Sequence, residues 1–254
     1  YGDYKAHRKA TPVELVEQFP LVRELAAAFG AAVLEQEGYE ADDIIGRVSR
    51  DAAQEGLDVL IVTGDRDALQ LVEPAVKVLL TRKGISEMDV YDEAKVQEVY
   101  GMEPLRLIDL KGLMGDASDN IPGVPGIGEK TAAKLLAQFG TLEEVLAQAA
   151  QVKGNKTREA LISNADLALL SKKLATIVRD MPLAEDWRQS KPEAGAALAT
   201  FFTQMDFRSL LARLAVNGTD TAAPAEQELA PLQWQEEQTA LLWLAQEQAV
   251  AVWP

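Results

Sequence analysis

The chain has 254 residues, 48% of them apolar and 26% charged, which is the balance of a globular protein able to bury a sizeable core. It holds no Cys and a single His, His7, so disulfides, thiolate zinc sites and cysteine nucleophiles are excluded, and catalysis falls to carboxylates, Lys and Arg. No apolar run approaches the roughly 20 residues that span a bilayer. The net charge of −15 argues against a polyanionic partner. However, no Lys or Arg follows Arg213, while Asp220, Glu226, Glu228, Glu236, Glu237 and Glu247 do, so part of the acidity is confined to the tail.

In chain order, Tyr4-Lys5-Ala6-His7-Arg8-Lys9 is a basic run beside an aromatic, which in most proteins is only a solvated face. Thr11-Pro12-Val13-Glu14 predicts a capped helix start, with an apolar stripe running to Phe29 and a stop at Gly30. Ala31 to Glu35 reads as a short strand, and a helix follows through Ile44, Ile45 and Val48. Asp58 to Thr63 is a continuous β-branched run between Gly56 and Gly64, the pattern of a strand buried on both faces of a parallel sheet. Val76–Leu80 and Met88–Tyr91 read as further strands, and from about residue 93 to 214 the pattern is helical. Four regions are expected: 1–92 as an α/β core, 93–215 as an all-α subdomain, 216–232 as a linker, and 233–254 as the start of another domain. Ala249 to Pro254 looks like a strand cut short, and both ends read as cuts through a longer protein.

Three acidic clusters stand out. Glu40-Ala41-Asp42-Asp43 opens a helix, where the plain reading is capping at the positive end of the dipole. Asp65 and Asp67 follow the buried strand, and ligands of open α/β sheets bind at the carboxyl ends of strands. Asp116 and Asp119 sit in a loop after a helix, where an Asx turn is the plain alternative. Together these seven carboxylates are candidate oxygen ligands for hard divalent cations, and gathering them without metal would be opposed by like-charge repulsion. Two ions about 4 Å apart would suit phosphodiester hydrolysis.

The stretch Gly123-Val124-Pro125-Gly126-Ile127-Gly128-Glu129-Lys130-Thr131 fails two nucleotide templates. A P-loop needs Lys directly after its last Gly, where Glu129 stands, and the dinucleotide fingerprint needs Gly where Thr131 stands. The better reading is a helical hairpin between helices at 105–114 and 130–139, with backbone amides at a helix start aimed at a phosphate and Lys130 and Lys134 one turn apart. A plain tight turn is the alternative.

These motifs, in this order and spacing, resemble the 5′-nuclease (5′-3′ exonuclease, flap-endonuclease-like) domain at the front of bacterial DNA polymerase I enzymes: Tyr4-Lys5-x-x-Arg8, Glu40-Ala-Asp42-Asp43, Thr63-Gly-Asp65-x-Asp67 and the long run from Gly115 to Thr131. The resemblance covers about residues 1–214. It implies a PIN-like α/β fold with a mostly parallel sheet whose first strands are missing, followed by an all-α helix-hairpin-helix subdomain. It implies that Glu40, Asp42, Asp43, Asp65, Asp67, Asp116 and Asp119 hold two Mg²⁺ or Mn²⁺ ions, directly or through water, and that Lys5 and Arg8 contact the scissile phosphate. It assigns Tyr4, Gly123, Val124, Gly126, Ile127, Gly128, Lys130, Thr131 and Lys134 to DNA binding, with a monovalent cation such as K⁺ at the hairpin loop. The implied substrate is DNA with a 5′ flap, nick or gap, acted on by a cytoplasmic, nucleoid-associated monomer with no membrane role. Polymerase chemistry would lie beyond this segment. With a central strand and its metal-ligating Asp upstream of Tyr1, the segment alone is expected to be poorly folded in its first half and weakly active or inactive. A non-enzymatic helix-hairpin-helix module and a phosphatase-like hydrolase using Asp65 are the competing readings.

Overall fold

The computed structural model describes residues 1–8, 10–83, 87–193, 195–217 and 251–252. The chain divides into two compact units, one made of Tyr1–Ala10, Gly38–Pro182 and Ala251–Pro254, the other of Thr11–Glu37 and Leu183–Val250.

The smaller unit begins with α1 (Val13–Val16) and α2 (Phe19–Ala28). The expected single helix is therefore broken, and Thr11 does not cap it: the residue at the cap is Pro12, with no side-chain hydrogen bond. Pro20 gives the reason. A proline inside a helix lacks the amide and clashes with the carbonyl four residues back, so the helix restarts with Pro20 in its first turn. The expected strand at 31–35 is also absent. Its amides go to side chains instead of a ladder: Ala32 N donates to Ser190 Oγ (3.1 Å) and Glu35 N to Glu185 Oε2 (3.2 Å).

The larger unit carries the sheet. In it α3 (Ala41–Gln54) packs Ile44, Ile45, Val48 and Ala52 into the core, above β1 (Val59–Thr63). A 3-10 turn at Arg66–Leu71 leads to β2 (Val76–Lys83), which runs parallel to β1 with Val59 opposite Val76 and Thr63 opposite Leu80. Then β3 (Glu87–Tyr91) turns back antiparallel on β2, Val78 opposite Tyr91. Within β1, Val59, Ile61 and Thr63 are buried while Leu60 and Val62 are half-buried, so the strand is sealed on one face only, not on both as its composition suggested. The sheet order is β3-β2-β1-β4, where β4 (Ala251–Val252) lies parallel to β1 on its other edge. That two-residue strand is the described part of the expected terminal strand; the remainder of 233–254, and 218–232 of the expected linker, lie outside the described residues.

The helices of this unit follow from their caps. Asp92 accepts the Lys95 amide to start α4 (Glu93–Tyr100), and Gly101, at φ 70°, ends it. The hairpin helices are α5 (Leu107–Met114) and α6 (Glu129–Phe139). Next, α7 (Leu142–Ala147) opens on the expected capping box of Thr141 and Glu144, followed by α8 (Asn155–Ser163) and α9 (Ala165–Ala175). Here α5 is wedged against α9: a Cβ at Gly112 would meet Leu142, Lys172 and the Ala168 carbonyl. In the smaller unit α10 (Ala196–Gln204) and α11 (Arg208–Asn217) gather Leu198, Phe201 and Phe202 with Leu25, Ala28 and Phe29 into a separate apolar cluster. No helix among the described residues is long and apolar enough to cross a membrane.

Candidate active site and nucleic-acid interface

The three acidic clusters lie in the larger unit, and the fold brings most of them into one electrostatic neighbourhood. Asp42 starts α3, half-buried, and its carboxyl is pushed up to about 6 by burial first, then by the charges of Asp65 and Asp67. Asp65 caps the turn after β1, accepting the Asp67 amide (2.8 Å), and its own amide donates to Thr63 Oγ1 (2.9 Å). This places both aspartates at the carboxyl end of a sheet strand, as the sequence suggested. The Asp67 carboxyl is likewise raised, chiefly by burial, with Asp65 and Asp116 adding to the rise and Lys111 opposing it.

Asp116 is fixed by a small closed loop. Its amide and carbonyl pair with those of Ile121 (2.9 and 2.8 Å), and its Oδ1 accepts from both the amide and hydroxyl of Ser118 (2.8 and 2.5 Å). Its Oδ2 accepts from Lys111 Nζ (2.6 Å), which also pairs with Asp67. Burial alone would raise the Asp116 carboxyl; the Lys111 and Ser118 bonds outweigh it and bring it down to about 2.

A second group forms around the N-terminal basic run. Lys5 N donates to the Asp119 carbonyl (2.9 Å), and the Asn120 side chain donates to the Asp3 carbonyl (2.6 Å), seating residues 1–8 on the 115–121 loop. Lys5 Nζ then bonds Glu40 Oε2 (2.5 Å) and lies 3.8 Å from Asp119, while Arg8 Nη2 is 2.5 Å from Asp119 Oδ1. Tyr4 donates its hydroxyl to Glu40 (3.4 Å) and lies under the Lys5 ammonium. His7, exposed, lies 3.0 Å from the Ala117 carbonyl and has no acidic partner among these contacts.

Asp43 stands apart from both groups. Its two oxygens accept the amides of Val178 (2.8 Å) and Glu40 (3.1 Å), so it caps α3 and ties down the chain after α9. Among the described residues no three acidic side chains converge on a common metal position. Glu40, Asp67, Asp116 and Asp119 are paired with Lys5, Arg8 and Lys111.

The hairpin loop separates into structural and open positions. Val124 and Ile127 are buried pegs, and Gly123 is buried with its amide donated to Ser171 Oγ (3.0 Å). At φ 61° Gly123 lies against the backbone of Met114 and Gly115, where no Cβ fits. Their amides are spent within the fold as well, Val124 N on the Leu113 carbonyl (2.8 Å) and Ile127 N on the Val124 carbonyl (3.0 Å). By contrast Gly126, Gly128, Lys130 and Lys134 are exposed, and a Cβ at Gly126 or Gly128 would meet nothing within 4 Å. The α6 start has no side-chain cap, which leaves its first amides for an anion. Thr131 is half-buried in the first turn.

Sequence reasoning missed two residues. Lys111 was hidden in an otherwise apolar helix, five positions before Asp116, and that spacing was the one signal available. Ser171 lies 48 residues from the loop it braces, and no local pattern could have revealed it.

The arrangement has relatives. Residues 1–101 match the family model described as 5′-3′ exonuclease, N-terminal resolvase-like domain, and residues 102–197 the one described as 5′-3′ exonuclease, C-terminal SAM fold. A DNA polymerase I of Bacillus caldotenax is 48% identical over 226 residues, 88% of this chain and 26% of the relative, so the chain spans about a quarter of the length of that protein. Among solved structures, a zinc-bound T5 5′-exonuclease superposes with a TM-score of 0.57 at 23% identity, covering 81% of this chain and 77% of the other. The bacteriophage T5 D15 flap endonuclease, in a complex with DNA and metal ions, gives 0.57 at 20% identity over 85% and 75%. At these identities the structures speak for the fold alone, and they agree with the mixed sheet followed by helices. With both of its halves matched in order along residues 1–197, the chain belongs to the 5′-3′ exonuclease family.

Proposed function

We propose that this chain is a metal-dependent nuclease segment that hydrolyses DNA phosphodiesters at a 5′ end or 5′ flap near a junction of single strand and duplex. The observation that carries the reading is the gathering of a half-buried Asp42 beside Asp65 and Asp67, where burial first and then their charges raise its carboxyl to about 6, in the same unit as an open glycine-rich helix start. Such a cluster is unfavourable unless a cation repays it. The donors are all hard oxygens, the set that Mg²⁺ or Mn²⁺ takes, so the donor chemistry fits although Lys5, Arg8 and Lys111 pair with Glu40, Asp67, Asp116 and Asp119. Glu40, Asp42, Asp65, Asp67, Asp116 and Asp119 would hold the ions; Asp43 would act through the α3 cap. When bound, a pair of such ions supplies an activated water and stabilises the leaving oxygen.

The chain's own groups do the rest. The amides of residues 128–130 at the start of α6, with Lys130 and Lys134, grip the backbone of the duplex and fix its register. Lys5 and Arg8 already sit against acids that a metal would neutralise, and are then free to turn to the phosphate and offset its charge. Tyr4 holds the Lys5 ammonium in place. A K⁺ ion at the hairpin loop, monomeric action and a cytoplasmic, nucleoid-associated location belong to the same proposal, as does removal of 5′ ends within a longer polymerase.

Among the described residues three carboxylates do not converge on one point, and that spacing favours a second reading, a DNA-binding module whose acids are structural. Asp116→Asn separates the two. The nuclease reading expects metal-dependent cutting of a flap duplex, lost in the variant; the module reading expects binding that needs no divalent metal and is unchanged by the variant.

A further inference from the structure

Lys111 has no task in the reading above, yet it is placed as if it had one. It stands on α5, and its ammonium pairs at once with Asp67, after β1, and with Asp116, on the loop that leads to the hairpin. Its side chain is 18% exposed, so the contact is an internal bridge between two elements rather than a solvated surface pair. Both oxygens of Asp116 are in use, Oδ1 by Ser118 and Oδ2 by Lys111. A cation drawn to Oδ2, or to the Asp67 oxygen that Lys111 holds, meets the ammonium's charge there and competes with it. Lysine suits that role: it is a point charge on a flexible four-carbon stem, able to withdraw without moving the helix that carries it.

We propose that Lys111 is a built-in counter-cation that holds the acidic site together without divalent metal, competes with metal for Asp67 and Asp116, and so sets the metal affinity of the site. The inference rests on the metal-dependent reading and deepens it. The bridge keeps like charges from forcing the site apart in the metal-free protein, and its release is part of metal binding. Metal loading also frees α5 from its tie to the turn after β1.

The test is Mn²⁺ binding to EDTA-stripped protein, read by calorimetry and by water-proton relaxation, for the native chain, Lys111→Met and Lys111→Arg. Removing the competing charge is expected to tighten Mn²⁺ binding about tenfold, on the scale by which one neighbouring charge shifts a carboxylate. Lys111→Met should also melt lower than the native chain in EDTA and match it in saturating Mn²⁺, while Lys111→Arg should bind as the native chain does. Equal or weaker Mn²⁺ binding by a folded Lys111→Met overturns the proposal and leaves the nuclease reading standing. No Mn²⁺ binding by the native chain overturns the nuclease reading itself and the proposal with it. Should Lys111→Met not fold, reductively ¹³C-methylated native protein decides: the Lys111 resonance, identified by its loss in Lys111→Arg, must shift as Mg²⁺ is added, and a resonance unmoved while Mg²⁺ binds overturns the proposal.

Discussion

Asp42 and Asp43 are neighbours with opposite physics. The carboxyl of Asp42 rises to about 6 through burial and the charges of Asp65 and Asp67. From its ordinary value of 3.8 up to about 6 the folded protein therefore binds more protons than the unfolded chain, so metal-free stability falls as pH rises through that window. Replacing Asp42 by Asn removes the penalty. In EDTA at pH 7 the variant should be more stable than the native chain by on the order of 1 kcal/mol, discounted for partial exposure, with the gain gone near pH 4. Urea denaturation at the two pH values checks this. Asp43, whose oxygens both accept backbone amides, behaves as ordinary structure: Asp43→Ala should lose about 1–2 kcal/mol at pH 7, with or without metal. The resemblance implies both residues as ligands, and the motif gives their spacing but not the direction in which each side chain turns at a helix start.

At the scale of elements, the glycine-rich loop divides by what each glycine touches. Gly123, at φ 61°, has the Met114–Gly115 backbone where a Cβ would stand, whereas Gly126, at φ 82°, faces open space. Gly123→Ala should therefore destabilise by about 2–4 kcal/mol and Gly126→Ala by about 1 kcal/mol, the first adding overpacking to backbone strain and the second carrying strain alone. Denaturation curves of the two variants test that order. Lys130 and Lys134 should each carry about one phosphate contact, so changing both to Gln should lower the slope of log affinity against log salt by about two. Titrations of a duplex at several salt concentrations measure it. The elements most legible in the sequence were those with a strong local signal: β1 from its β-branched run, α7 from Thr141 and Glu144, and the hairpin from its glycines. The strand expected at 31–35 failed because apolar composition does not supply a ladder partner, and its amides found Ser190 and Glu185 instead. The break before α2 was legible in Pro20 and was overridden by the apolar stripe around it.

Across the whole molecule, the net charge of −15 and the proposed polyanionic substrate are reconciled by where the charges lie. The acids nearest the proposed site are met by Lys5, Arg8 and Lys111, and the exposed hairpin carries Lys130 and Lys134. That pairing was not legible in the sequence, since it joins residues 5 and 40, 8 and 119, and 111 and 67. The order of the motifs was legible, and it sufficed for the family. The proposed function stands or falls with these acids being a metal site for cutting DNA. Its most direct test is a 5′-labelled flap duplex incubated with the chain in excess, so that slow turnover is seen, in Mg²⁺, in Mn²⁺ and in EDTA, beside Asp116→Asn. The account predicts cutting near the junction that requires divalent metal and falls at least about a hundredfold in the variant, as for loss of a group that positions the reacting centre. Binding of the duplex without cutting in either metal, or cutting that persists in EDTA or in Asp116→Asn, would contradict it.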